Sequence, residues 1–431
     1  MKIVIKRKHR SFRQTIIFLL IISIFLLPSY LAIDFGGIMF SIQRILTIVA
    51  FIVCLMDYRR MIHIISQRQI AVLWAVYLLF TYMSDLFARN ILYKTWLGII
   101  LEQYVVFILT MYYCIFMSNT QSLIKVLQII AYILCFLGIL EFFVGSSFYS
   151  LLQTTSREIW TGNFVRGGMY RIMGPYNHAL AYGLILAILF PLACYNAKEY
   201  KIDYKSNIIL EILVIINTIL TGSRSTILVL VAEIVILFSF SNVRNKVKIA
   251  GASLIAIIGL ALYMTFVKNK VTIYFQHIFF SIFDMLFGSN LITLNTYRAD
   301  LTLSYRLNLL KLFFSKDINP LTGNGFDFSL GYSIDNYYVS LFIKAGWLGL
   351  SSFLILISYV ITRAMRKVKK DYIRILGIAV IGYCIHLFFV NELHTISALY
   401  MVLGMMYSSY RMEEEKTNGI ILNGGNIEIK R

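Results

Sequence analysis

Residues able to do chemistry gather in three stretches of this 431-residue chain. The first runs from Ser146 to His178. It holds Arg157, Arg166 and Arg171 against one acid, Glu158, with Gly167, Gly168, Gly174 and Pro175 to break regular structure. Tyr176-Asn177-His178 then opens an apolar run. Three guanidinium groups beside a helix start can make an anion site, because the first amides of a helix point outward unpaired; the same composition also fits a solvated loop. The second stretch, Thr221-Gly222-Ser223-Arg224-Ser225, interrupts an otherwise apolar segment, 207–241. The third runs from Leu321 to Leu350. It is Gly-rich and polar at first, turns apolar at Asp335-Asn336-Tyr337-Tyr338, and carries Gly346 and Gly349.

The elements that position these residues follow from composition. Hydrophobic residues make up 59% of the chain and charged residues 14%, with a mean hydropathy of +0.75. Soluble domains sit near half apolar and a quarter charged, so the chain reads as all-α and polytopic in a membrane. Apolar runs divide it into about twelve spans, near 15–33, 37–56, 70–87, 97–118, 123–144, 176–195, 207–221, 225–241, 249–266, 337–361, 375–391 and 395–410. With the N-terminus inside, about two-thirds of the 40 Lys and Arg fall on cytoplasmic segments. The formal charge of +19 therefore reports topology, and no nucleic-acid partner is implied. Both termini are expected in the cytoplasm.

Segment 207–241 as a single helix would be about 52 Å long, against a bilayer core of about 30 Å. Basic residues flank it on both sides (Lys198, Lys201 and Lys205; Arg244, Lys246 and Lys248), so it is expected to cross twice with Arg224 at the outer tip. The ninth span leads into a large outer segment, 267–336, with two stretches that read as helices lying along the membrane surface. The opening MKIVIKRKHRSFRQ and its long apolar run lack a small-residue cleavage site and read as a retained first helix. Cys54, Cys114, Cys135, Cys194 and Cys384 all fall inside spans, without metal spacing or an external partner. Arg44 lies within the second span, where insertion costs about 2.5–3.5 kcal/mol. It is expected to pair with Glu102 or Glu141, or to contact substrate. Glu392-Leu393-His394 offers two ligands, too few for a metal site. The expected divisions are N-terminal helices at 1–145, a core at 146–411 and a flexible cytoplasmic tail at 412–431.

Arg171-Ile-Met-Gly-Pro-Tyr-Asn-His178, Thr221-Gly-Ser-Arg-Ser225 and Arg306 through Asn319-Pro-Leu-Thr-Gly-Asn-Gly325 to Gly349, in that order, resemble the O-antigen ligase and polymerase (WaaL/Wzy-type) superfamily. The resemblance covers roughly 165–410. Ligases of that superfamily carry His-Asn, nine residues, Gly, two residues, Gly. Here the Asn336–Gly346–Gly349 spacing is intact but Asp335 stands at the histidine position. That departure favours a polymerase over a ligase.

The resemblance implies transfer of a glycan from undecaprenyl pyrophosphate to a sugar hydroxyl at the outer face of a bacterial cytoplasmic membrane. The donor carries a good leaving group, so a protein need only hold the diphosphate, offset its growing charge and orient or deprotonate the acceptor. Arg224 and Arg306, then Arg171 and Arg166, become the expected diphosphate ligands, because a guanidinium fork pairs with phosphate oxygens. Asp335 is the leading base and His178 the second, with Glu392 and His394 behind; the plain alternative for Asp335 is a helix N-cap. Asn336, Tyr337 and Tyr338 are the expected glycan contacts, although an interfacial aromatic belt explains the tyrosines as well. Neither a metal nor another cofactor is expected. The expected partners are the lipid-linked oligosaccharide, membrane lipid, a chain-length regulator and a flippase. A ligase shares the chemistry. A flippase or secondary transporter is the rival of another class, and would concentrate ionisable residues on broken helices near the midplane.

Overall fold

The computed structural model describes residues 12–36, 38–89, 93–155, 165–166, 169–203, 206–240 and 308–417, a few positions between 258 and 305, and two short strands after 419. Most of the ninth expected span, residues 281–304 of the expected outer segment 267–336 and Arg306 lie outside the described residues, as does the side chain of Arg166.

Most of the described chain is helical. In order the helices are α1 (Phe12–Leu26), α2 (Ile42–Leu55), α3 (Tyr58–Ile65), α4 (Arg68–Phe87), α5 (Thr95–Met117), α6 (Thr120–Val144), α7 (Ala179–Ala193), α8 (Ile208–Leu220), α9 (Arg224–Phe240), α10 (Tyr337–Lys367), α11 (Asp371–Leu387) and α12 (Ile396–Thr417). By length and composition α4, α5, α6 and α10 are able to cross a membrane, and α1, α2, α7 and α8 are shorter apolar helices. Polar residues at the boundaries set where several of them start. Ser41, Asn119 and Asn336 accept from the amides of Arg44, Ser122 and Val339, satisfying donors that the first helical turn leaves unpaired. The N-cap of α10 is thus Asn336, not Asp335. Residues on both sides of 145 share one buried apolar cluster.

Side-chain bonds between helices show which ends lie together. Tyr176 Oη donates to Phe25 O at 3.1 Å, Gln43 Nε2 to Ser397 Oγ at 2.5 Å, and Ser84 Oγ to Lys344 O. These join the end of α1 and the starts of α2, α7 and α12, and the end of α4 to the first part of α10, at one end of the bundle, here the site end. At the opposite end Asp57 takes Arg13 and Arg60, each at 3.0 Å, and Asp371 Oδ2 accepts from Ile202 N at 3.1 Å. Helix α12 runs past residue 412, the expected start of the tail. Glu415 is buried and bonds Arg411 Nη2 at 3.0 Å and His63 Nε2 at 3.2 Å, which carries α12 on to Thr417.

α10 is broken inside. Gly346 sits at φ 61°, ψ −167°, a conformation open in practice only to glycine. In an unbroken helix the amides of Trp347 and Leu348 would donate to the carbonyls of Ile343 and Lys344. Here they donate instead to Pro320 O at 2.8 Å and Leu321 O at 3.2 Å. The two orphaned carbonyls accept from Asn324 N at 2.8 Å and Gly325 N at 3.0 Å. The loop Asn319–Gly325 has been inserted into the gap and restores all four groups. Its own shape is held from within: Asn319 Oδ1 accepts from Leu321 N at 3.0 Å, and Asn324 Oδ1 from Asn319 N at 2.9 Å. A Cβ on Gly346 would lie 2.2 Å from Leu321 O. Gly346→Ala is therefore expected to lower the apparent melting temperature of the purified protein and to speed amide exchange at 324, 325, 347 and 348. The backbone strain alone is about 1–3 kcal/mol, with the clash added. Gly331→Ala is the control, since Gly331 also has positive φ but meets nothing within 4 Å. Equal melting shifts for the two variants would contradict this role of Gly346.

Candidate functional site

Glu141, one turn from the end of α6, organises the segment that carries Arg171. Its carboxylate is buried and accepts from Met173 N at 3.0 Å, Gly174 N at 2.8 Å and Tyr170 Oη at 3.1 Å. Burial and then the neighbouring Glu141 charge hold the Tyr170 phenol well above its ordinary pKa, so it remains a donor. The clamp turns 170–174 toward the tip between α8 and α9. There Arg171 Nε donates to Thr221 O at 2.7 Å and Ile172 N to Leu220 O at 3.2 Å.

Ser223 caps α9 by accepting from Thr226 N at 3.3 Å, and so places Arg224 in the first helical turn, 8% exposed. Ser225 and Thr226 present their hydroxyls to His386 Nε2 of α11, at 3.3 and 3.4 Å. His178 caps α7, its Nδ1 accepting from Leu180 N at 2.9 Å. That bond commits one ring nitrogen of the second candidate base to a structural task. Deeper along α9, Glu233 lies buried beside Gly382, and neither carboxylate oxygen has a partner among the described residues.

A cavity of about 470 Å³ lies among the starts of α2, α5, α10 and α12 and the loop 388–395. The Arg44–Glu102 ion pair, 2.6 Å, lines it; the expected partner is thus Glu102, and Glu141 is engaged elsewhere. Glu102 and Gln103 belong to a π-helical turn, Ile100–Val105, within α5, and Tyr77 Oη donates to Gln103 at 3.1 Å. π-turns recur at functional sites. Lys344 projects into the same space with its ammonium 5.9 Å from the Phe326 ring. Asn391, Glu392 and His394 close one wall. Their loop is sharply bent: Leu393 and His394 have φ of 44° and 61°, and Glu392 Oε2 accepts from His394 N at 2.7 Å.

The third expected cluster divides here. Tyr337 lines the polar cavity. Tyr338 turns away into an apolar groove and donates to Cys384 O at 2.7 Å. The Asn336 amide oxygen is used by its cap, and half-buried Asp335 accepts from Ser333 Oγ at 3.1 Å. Since Tyr338 and the Ser225–Thr226 pair both meet the last turn of α11, the Arg171–Arg224–His178 group and the start of α10 stand at the same end of the bundle. Sequence reasoning missed Asp85, Gln103, Lys344 and His386 as site-end residues. Asp85 is buried and holds the inserted loop through Phe326 N at 2.7 Å. The signal was available, since each is a polar or ionisable residue inside an expected apolar span.

No protein-family model matches the chain, and no curated protein matches it.

Glu141→Ala is expected to release the 170–174 segment, because two amides and a phenol lose their acceptor at about 1–3 kcal/mol for each buried group left unsatisfied. Hydrogen exchange should rise at Met173 and Gly174 and around Arg171, with α6 itself unchanged. Unaltered exchange there would contradict the clamp.

Proposed function

We propose that this protein is a polymerase that joins undecaprenyl-pyrophosphate-linked oligosaccharide units into a surface polysaccharide at the outer face of the cytoplasmic membrane. The observation that carries the reading is the collection of polar groups at one end of an apolar bundle. Arg171 and Arg224 share the Thr221–Ser225 turn, and at the same end of the bundle a cavity of about 470 Å³ offers amide, carboxylate, cationic and aromatic groups. A lipid diphosphate suits the first and a sugar the second. The reading takes the chain as about twelve spans with both termini in the cytoplasm.

In this account Arg224 and Arg171, with Arg306 and Arg166 by resemblance, hold the diphosphate. The acceptor hydroxyl oxygen bonds to the anomeric carbon while the bond from that carbon to the diphosphate breaks. The bonding pair leaves on the diphosphate, and the guanidinium charges stabilise it as it develops. The acceptor proton passes to a base, for which Asp335 is the candidate. His178 is the weaker one, since Nδ1 already caps α7. A polymerase is preferred to a ligase on the one departure at Asp335. A transporter would place the break in α10 at the midplane. The break lies level with the last turn of α4, where Ser84 donates to Lys344 O and Asp85 accepts from Phe326 N, which favours a position toward one face.

The test is a glycan profile of a deletion strain complemented with wild type or Arg224→Ala. Single repeat units are expected to accumulate on the acceptor in the deletion strain. Arg224→Ala should restore no polymer although it reaches the membrane at normal abundance. Long polymer left on undecaprenyl would indicate a ligase, an intracellular lipid-linked pool a flippase, and full-length polymer from Arg224→Ala would remove that residue from the diphosphate site.

A further inference from the structure

At the end of the bundle opposite the candidate site, a second open cavity of about 750 Å³ lies between the last turns of α10 and Tyr410 and Glu414 of α12. Two rows of α10 side chains, spaced four residues apart and therefore stacked along one face, line it. One row is Leu354, Ser358, Thr362 and Arg366; the other is Ile355, Tyr359, Arg363 and Lys367. Each row passes from an apolar side chain through a hydroxyl or phenol region to a cation. The thirteen residues from Leu354 to Arg366 cover about 18 Å, close to the depth of half a bilayer core of about 30 Å with its headgroup layer.

Charge in this groove is one-sided. Its single acid, Glu414, already accepts from Tyr410 Oη at 2.7 Å and pairs with Arg411. Among the described residues no ion pair involves Arg363, Arg366 or Lys367, while their neighbours Lys370, Arg374 and Arg411 are all paired. Arg363 lies 5.4 Å from the Tyr359 ring, which orients it along the groove. Leu354 and Ile355 are 42% and 54% exposed, so the apolar end of each row is open to the outside of the bundle. A basic cluster at the end of a membrane helix can serve topology alone. What sets this one apart is that cations and apolar side chains share one concave surface whose own acid is neutralised. Basic pockets between helices of this kind suit the headgroups of anionic lipids.

We propose that this groove binds an anionic phospholipid of the bilayer, with the phosphate between Arg363, Arg366 and Lys367 and an acyl chain along Leu354 and Ile355. The site is separate from the proposed transfer chemistry and does not depend on it.

Native mass spectrometry and thermal unfolding of the full chain in detergent test it, with phosphatidylglycerol, phosphatidylcholine or glycerol 3-phosphate added. Phosphatidylglycerol is expected to remain bound and to raise the melting temperature, while the other two do neither. A cation near an anionic lipid surface is worth about fivefold in affinity. Arg363→Gln/Arg366→Gln/Lys367→Gln should therefore weaken phosphatidylglycerol retention at least ~tenfold. Lys198→Gln/Lys369→Gln, which removes exposed cations outside the groove, should leave retention unchanged. Equal retention by the triple variant would overturn the proposal, as would equal loss in the control variant. Equal stabilisation by phosphatidylcholine, or by glycerol 3-phosphate, would also overturn it.

Discussion

A backbone polar group in an apolar bundle has no water to turn to, so a break in a long helix must be repaired by protein. The break at Gly346 frees two carbonyls and two amides, and the Asn319–Gly325 loop supplies a partner to each. Much of the site end follows from that repair. It draws the loop against α4, where Asp85 and Ser84 hold Phe326 and Lys344. It puts Lys344, two residues before the break, at the wall of the polar cavity. It also brings Phe326 under the ammonium of Lys344.

Ionisable groups elsewhere in the bundle are handled in two ways. Some are neutralised or saturated by bonds: Arg44 by Glu102, and Glu141 by two amides and a phenol. Removing one partner from such a set costs more than the set contributes, because the other is left desolvated. Glu233 is not in such a set: it is buried against Gly382, and neither carboxylate oxygen has a partner among the described residues. Buried ionisable residues in membrane helices are rare enough to mark function by default. Glu233 stands on the helix that begins with Arg224, about 14 Å further along it.

Sequence periodicity and composition made most of the longer described helices legible, together with the turns at 170–178 and 221–225 that separate some of them, while the short helix Tyr58–Ile65 was missed. The Asn336–Gly346–Gly349 spacing was visible too, but its physical meaning was not. Asn336 caps the helix, Gly346 breaks it, and Gly349 stands where a Cβ would meet Ala345 Cβ at 2.3 Å. The spacing measures the length of a half-helix. Asn319 and Asn324 likewise serve to shape the inserted loop. These spaced residues are thus largely structural ones. The choice of Glu102 over Glu141 as partner of Arg44 was out of reach, because it depends on which helix ends adjoin. The facing of Tyr337 and the turning away of Tyr338 were hidden for the same reason: adjacent residues on a helix point about 100° apart, and only packing decides which meets the cavity.

The most direct test of the account uses purified protein in liposomes with an undecaprenyl-diphosphate-linked repeat unit as both donor and acceptor. The account predicts that one undecaprenyl diphosphate is released for each repeat added to a growing chain, and that Arg224→Ala abolishes both together. Movement of the lipid-linked unit across the bilayer with its glycosyl–diphosphate bond intact would contradict it.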